Sequence, residues 1–158
     1  MAELPPAAHR VLTAAIEHGL DVEIRIMPAS TRTAGEAASA VGTTVGQIVK
    51  SLVFKGKQSN RPYLLLVSGT NRVNEHVVER VIGEAIVRPD ADFVREATGF
   101  AIGGIPPLGH ATPLRTYFDE DLLQYETVWA AAGTPNAVFS VDPAALREAI
   151  GAHTLAVK

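Results

Sequence analysis

The sequence contains no cysteine. Disulfide bridges, thiolate nucleophiles and cysteine-ligated zinc are excluded together. An excess of positive charge is lacking too: 14 Lys and Arg stand against 17 Asp and Glu, a net charge of −3. Such a chain does not coat a polyanion through bulk charge, so a nucleic-acid partner has to be held by a local patch. Nor does any run suit a bilayer. The longest uncharged stretch, residues 97–114, is punctuated by Pro106, Pro107, Pro113 and four glycines, which interrupt the internal hydrogen bonding that lipid demands. The opening MAELPPAAHR carries an acid and two prolines where a secretory signal needs a basic start and an apolar run. A cytoplasmic protein with no membrane partner is therefore expected. No HExxH, no clustered His/Asp set and no EF-hand pattern occurs, so neither metal nor other cofactor is expected. The GxSxG elbow of serine esterases is absent as well.

What is present suits a folded domain. The 158 residues are 47% hydrophobic and 20% charged, near the globular average and enough for one self-sufficient core. One domain over residues 1–158 is expected. Helical spacing of Val11, Leu12, Ala15 and Ile16 predicts a helix over residues 7–18, with Gly19 as its stop. Alternation of Val22, Ile24 and Ile26 with Glu23 and Arg25 predicts a strand over residues 22–27. A short helix is expected over residues 33–41, ended by Gly42, and a helical turn from Thr44. Residues 48–54 and 62–68 read as a hairpin or adjacent strands across the polar link KGKQSN. Asn74 and Asp90 are placed to cap two helices, and Asp142-Pro143 opens a last one that Gly151 closes. Further strands are predicted over residues 100–102, 115–118, 127–131 and 137–141, with an edge strand at 155–157. The irregular order favours an α+β fold with a mixed, barrel-like sheet flanked by helices.

Two segments carry candidate chemistry. Period-two alternation places Ile48, Lys50, Leu52 and Phe54 on one strand face. A lysine in that apolar stripe either snorkels to solvent or meets an anion in a pocket. The segment GTTVGQIVKS lacks a glycine directly before the lysine, so it is not a Walker A loop. The loop GGIPPLGH, residues 103–110, packs glycines and prolines into a stiff bend with accessible main-chain N–H groups. It is either an ordinary turn or a wall that holds a carbonyl and sizes a small ligand. His110 closes it, structural or catalytic. The AGTPN turn around Gly133 is a hairpin connection or a second wall of the same pocket. Lys55, Lys57 and Arg61 form a basic cluster free of acids, a solvated hairpin tip or an RNA contact.

Taken in order, GQIVKSLVF, GGIPPLGH and AAGTPNAVFSV resemble the YbaK / prolyl-tRNA synthetase-associated editing domain family, over residues 29–153. The resemblance implies hydrolysis of the ester joining a wrong amino acid to the 3′ end of tRNA. It puts the family's strand lysine on Lys50, orienting the ester and the terminal adenosine. Its GxxxP loop falls on Gly103, Gly104, Ile105, Pro106 and Pro107, its following histidine on His110 and its later glycine turn on Gly133. Water is the implied nucleophile, assisted by the substrate's ribose hydroxyl, and prolyl-tRNA synthetase is the implied partner. The substrate suggested is tRNA-Pro carrying an alanine-like residue. Two other classes stay open, a module that binds the aminoacyl end without cleaving it and a hydrolase of simple esters.

Overall fold

The apolar run of residues 62–68 decides the architecture, because a strand hydrophobic on both faces must be covered on both. In the computed structural model, which describes residues 4–158, it is the central strand β3 (Pro62–Ser68), and Leu64 to Val67 are fully buried. It pairs antiparallel with β2 (Ile48–Gly56) and parallel with β5 (Arg115–Asp119). The chain begins with α1 (Pro6–Glu17), β1 (Ile24–Ile26) and α2 (Ala34–Val41). After β3 come α3 (Glu75–Ile82), β4 (Ile86–Val87) and α4 (Ala91–Thr98). After β5 follow β6 (Val128–Ala131), β7 (Ala137–Val141), α5 (Pro143–Ile150) and β8 (His153–Leu155). The result is the expected α+β fold: one mixed sheet in the order β1-β7-β6-β2-β3-β5-β8, with β4 beside β2.

Both faces of the sheet are packed. Val49, Leu64, Leu66 and Phe118 point to one side, where Val11 and Ala15 of α1 and Leu146 of α5 close the larger core. Phe54, Leu65 and Val67 point to the other, against Val78 and Ile82 of α3. The helix caps follow local chemistry. Thr33 and Glu36 form a reciprocal capping box, while Asn74, Asp90 and Asp142 each accept an N–H of the first turn, satisfying donors a helix start leaves open. No helix among the described residues is long and apolar enough to cross a membrane.

Two expectations are corrected. Residues 100–102 form no strand: Gly99 ends α4 in the left-handed region, Phe100 N–H turns back onto Thr98 Oγ1, and Phe100 is a buried loop anchor. The last strand lies at His153–Leu155, because those residues line up with Tyr117–Asp119 of β5. Two short elements were not anticipated, β4 and a 3-10 turn at Glu120–Gln124, the latter capped by Asp119.

Candidate active site

The site arises from an interruption in the sheet. Gly56 N–H donates to the Arg61 carbonyl, and Gly69 N–H to the Ile48 carbonyl. By the two-residue period, the main-chain groups of residues 50, 52 and 54 also face β3, and those of 49, 51, 53 and 55 face away. On that outer edge Val49 meets Ala130 of β6 and Lys55 meets Val87 of β4. Between them no strand pairs with β2 among the described residues, so the N–H and C=O groups of Ser51 and Val53 look outward unclaimed. Ser51 Oγ is likewise buried with no hydrogen-bond partner.

The loop at residues 102–105 approaches this gap without pairing to it. The space left is a cavity of about 380 Å³ lined by Lys50, Ser51, Gly103, Ile105, Trp129 and Ala37 of α2, among others. Lys50 and the glycine-proline bend therefore meet at one cavity. Lys50 Nζ donates to the main-chain oxygen of Asn71. Asn71 is in turn fixed by its side chain, whose Nδ2 donates to Asp119 Oδ2 and Asp121 Oδ2, each at 2.8 Å. Asp119 is buried but well satisfied, since it also accepts the N–H groups of Ser68 and Asp121. Burial lowers the pKa of Lys50 below its ordinary 10.5, Arg72 and Arg88 lower it further, and Asp119 opposes them.

The remaining expected residues distribute around this centre. Gly103 has φ of +105°, which favours glycine, and Arg32 lies across it. The Gly104 carbonyl accepts Gly133 N–H at 2.9 Å, so the two glycine turns are locked back to back. Gly133 supports the wall rather than lining the cavity. Pro106 and Pro107 are buried. Pro107 and His110 line a different recess beside Ala14 and Glu17 of α1. His110 Nε2 lies 2.8 Å from the Pro106 carbonyl, its ring edge-on to Phe100. Burial lowers its pKa, the hydrogen bond to that carbonyl offsets this in part and Arg10 adds to the lowering; because a carbonyl only accepts, Nε2 is the donor to Pro106. Lys55 stacks over Phe93, 5.1 Å from the ring centroid. With Lys57 and Arg61 it sits at the hairpin end of β2, about 16 Å along the strand from Lys50 at 3.3 Å per residue.

Several lining residues had no sequence signal of their own. Arg32, Trp129, Val138 and the exposed Ile102 all border the cavity. Only Thr33 could have been suspected, through the T-x-x-E pattern that starts α2.

Comparison with known proteins bears on this geometry. The model of a family described as aminoacyl-tRNA editing domain matches residues 28–149. A solved structure provisionally assigned as a trans-editing enzyme for prolyl-tRNA synthetase is 50% identical, covers 99% of both chains and superposes with a TM-score of 0.92. The hypothetical protein APE2540 is 30% identical, with 94% of this chain and 98% of that one covered and a TM-score of 0.87. The uncharacterized protein YwhH of Bacillus subtilis (strain 168) is 29% identical over 119 residues, 75% of each chain.

Proposed function

This chain belongs to the aminoacyl-tRNA editing domain family, and from that premise we propose that it is a trans-acting deacylase, hydrolysing the ester of a mischarged tRNA. The observation that carries this reading is the shared cavity of Lys50, Gly103 and Ile105. An aminoacyl ester is already activated, so positioning and a few charge-directed hydrogen bonds suffice for a useful rate. In this reading the Lys50 ammonium faces the ester and supports the negative charge that develops on its carbonyl oxygen. Water attacks that carbonyl, guided by the free ribose hydroxyl, and the terminal ribose oxygen departs with a proton. The outward amides of β2 and the unpartnered Ser51 hydroxyl supply further hydrogen bonds to the bound ester.

Ile105, Ala37, Trp129 and the main chain at Gly103 make an apolar wall around the amino-acid side chain, which suits a small residue of alanine size. Pro106, Pro107 and Gly133 act one layer behind, holding the wall in place. His110 is assigned to that layer too: its imidazole positions Pro106 instead of touching the substrate. The proline-accepting tRNA is the substrate proposed, and prolyl-tRNA synthetase the enzyme whose errors are cleared.

The test is a panel of tRNAs mischarged with alanine, serine, threonine, cysteine or 2-aminobutyrate. Wild type should release the smallest residues fastest. Lys50→Ala should lower the rate at least about 100-fold, the scale of losing one charge-stabilising donor. Binding of the charged tRNA without release of amino acid would refute the proposal and favour a non-catalytic end-binding module. Equal turnover of simple esters would point to a general esterase.

A further inference from the structure

The cavity does not end at Ile102. A smaller recess of about 190 Å³ continues along the unpaired edge of β2, sharing Ser51, Leu52 and Ile102 with the main cavity and adding Phe54, Pro89 and Arg88. Ile102, 58% exposed, stands at the junction of the two. At the far end the Arg88 guanidinium lies 5.7 Å from the Phe54 ring centroid. Lys50 and Phe54 share a strand face and are separated by about 13 Å at 3.3 Å per residue. Lys50 thus lines one part of this open groove and Arg88 the other.

We infer that this groove carries the 3′-terminal adenosine of the substrate, with Arg88 binding the phosphate on its 5′ side. The inference rests on the editing reading above and gives the nucleic acid a path along β2, away from the hairpin tip at Lys57 and Arg61. Three observations support it. Arg88 and Arg72 form no ion pair among the described residues. Both lie close enough to Lys50 to disfavour its charge, so the region holds positive charge that a phosphodiester would relieve. The nearby acids are occupied: Asp119 is held by Ser68, Asn71 and Asp121, and Asp90 caps α4. Arginine suits the task, because its planar fork matches phosphate geometry. Arg32 is the competing cation, but it packs across Gly103 and does not line the recess that Arg88 lines.

The decisive comparison uses 3′-O-aminoacyl adenosine with and without a 5′-phosphate, assayed with wild type, Arg88→Gln and Arg32→Gln. The phosphate should raise kcat/KM about tenfold in wild type, the scale of one charge-assisted contact. That gain should shrink to within about twofold in Arg88→Gln and persist in Arg32→Gln. A gain that survives in Arg88→Gln, or that vanishes in Arg32→Gln instead, overturns the assignment. In parallel, the salt dependence of kcat/KM on mischarged tRNA should have a log–log slope shallower by about 0.7 in Arg88→Gln, one single-strand phosphate contact fewer. An unchanged slope overturns the phosphate site even if the small compounds are not cleaved. Absence of release from mischarged tRNA by wild type removes the editing reading itself.

Discussion

Lys50 sits in surroundings that disfavour its ammonium form. Partial burial and the guanidinium groups of Arg72 and Arg88 lower its pKa, and only Asp119 counters them. If the charged form orients the ester, activity must fall as pH rises through that lowered value. The decline should therefore begin below the range of an ordinary lysine, and a pH–rate profile corrected for spontaneous hydrolysis of the ester checks it. The same sign governs stability: the unfolded chain holds this proton more tightly than the folded one, so stability gains with pH across that window. Ser51 poses a second residue-scale trade. A buried hydroxyl without a partner costs about 1–3 kcal/mol in desolvation. Ser51→Ala should keep or raise the denaturation midpoint while lowering kcat/KM, a split that a purely structural serine would not give.

Among the elements, the paired glycine turns are the least tolerant. A Cβ at Gly104 would stand 2.7 Å from the Thr134 backbone, and backbone yields less easily than a flexible side chain. Gly104→Ala should cost about 1–3 kcal/mol, read by denaturant unfolding. Gly103→Ala meets only the movable end of Arg32, but its positive φ adds strain of about 1–2 kcal/mol, so that variant should lose stability as well as shift amino-acid preference. Which elements were legible follows from how local their causes are. Caps at Asn74, Asp90 and Asp142 and the run Leu64 to Val67 are written in adjacent residues, and they fold as read. Residues 100–102 misled because three apolar positions look alike in a strand and in a buried loop. The two residues of β4 are too few to carry a period. The alternation that singled out Lys50 could not reveal the missing neighbour strand, since pairing of β2 with β6 and β4 is decided by distant segments. Arg32, Ile102 and Trp129 reach the site the same way, by tertiary placement alone.

For the whole molecule, the net charge of −3 sets how a polyanionic substrate can be held. Under the proposed reading, recognition rests on a few cations around one groove without help from bulk charge, so affinity should be modest and strongly salt-dependent. With about three phosphate contacts, raising monovalent salt from 50 to 200 mM should weaken binding of the tRNA end by about 20-fold, measurable by filter binding. A loss of several hundredfold would demand a basic surface that this protein does not present.

Exposed strand borders invite pairing with other chains, and proteins usually blunt them with charge, brevity or cover. Here the bare stretch of β2 is walled in at both ends by its own sheet, with β6 at one end and β4 at the other. A foreign β-strand would find only a few residues to template on, too short a register to seed aggregation. The protein can keep these amides bare for a small guest because nothing longer can lie down beside them.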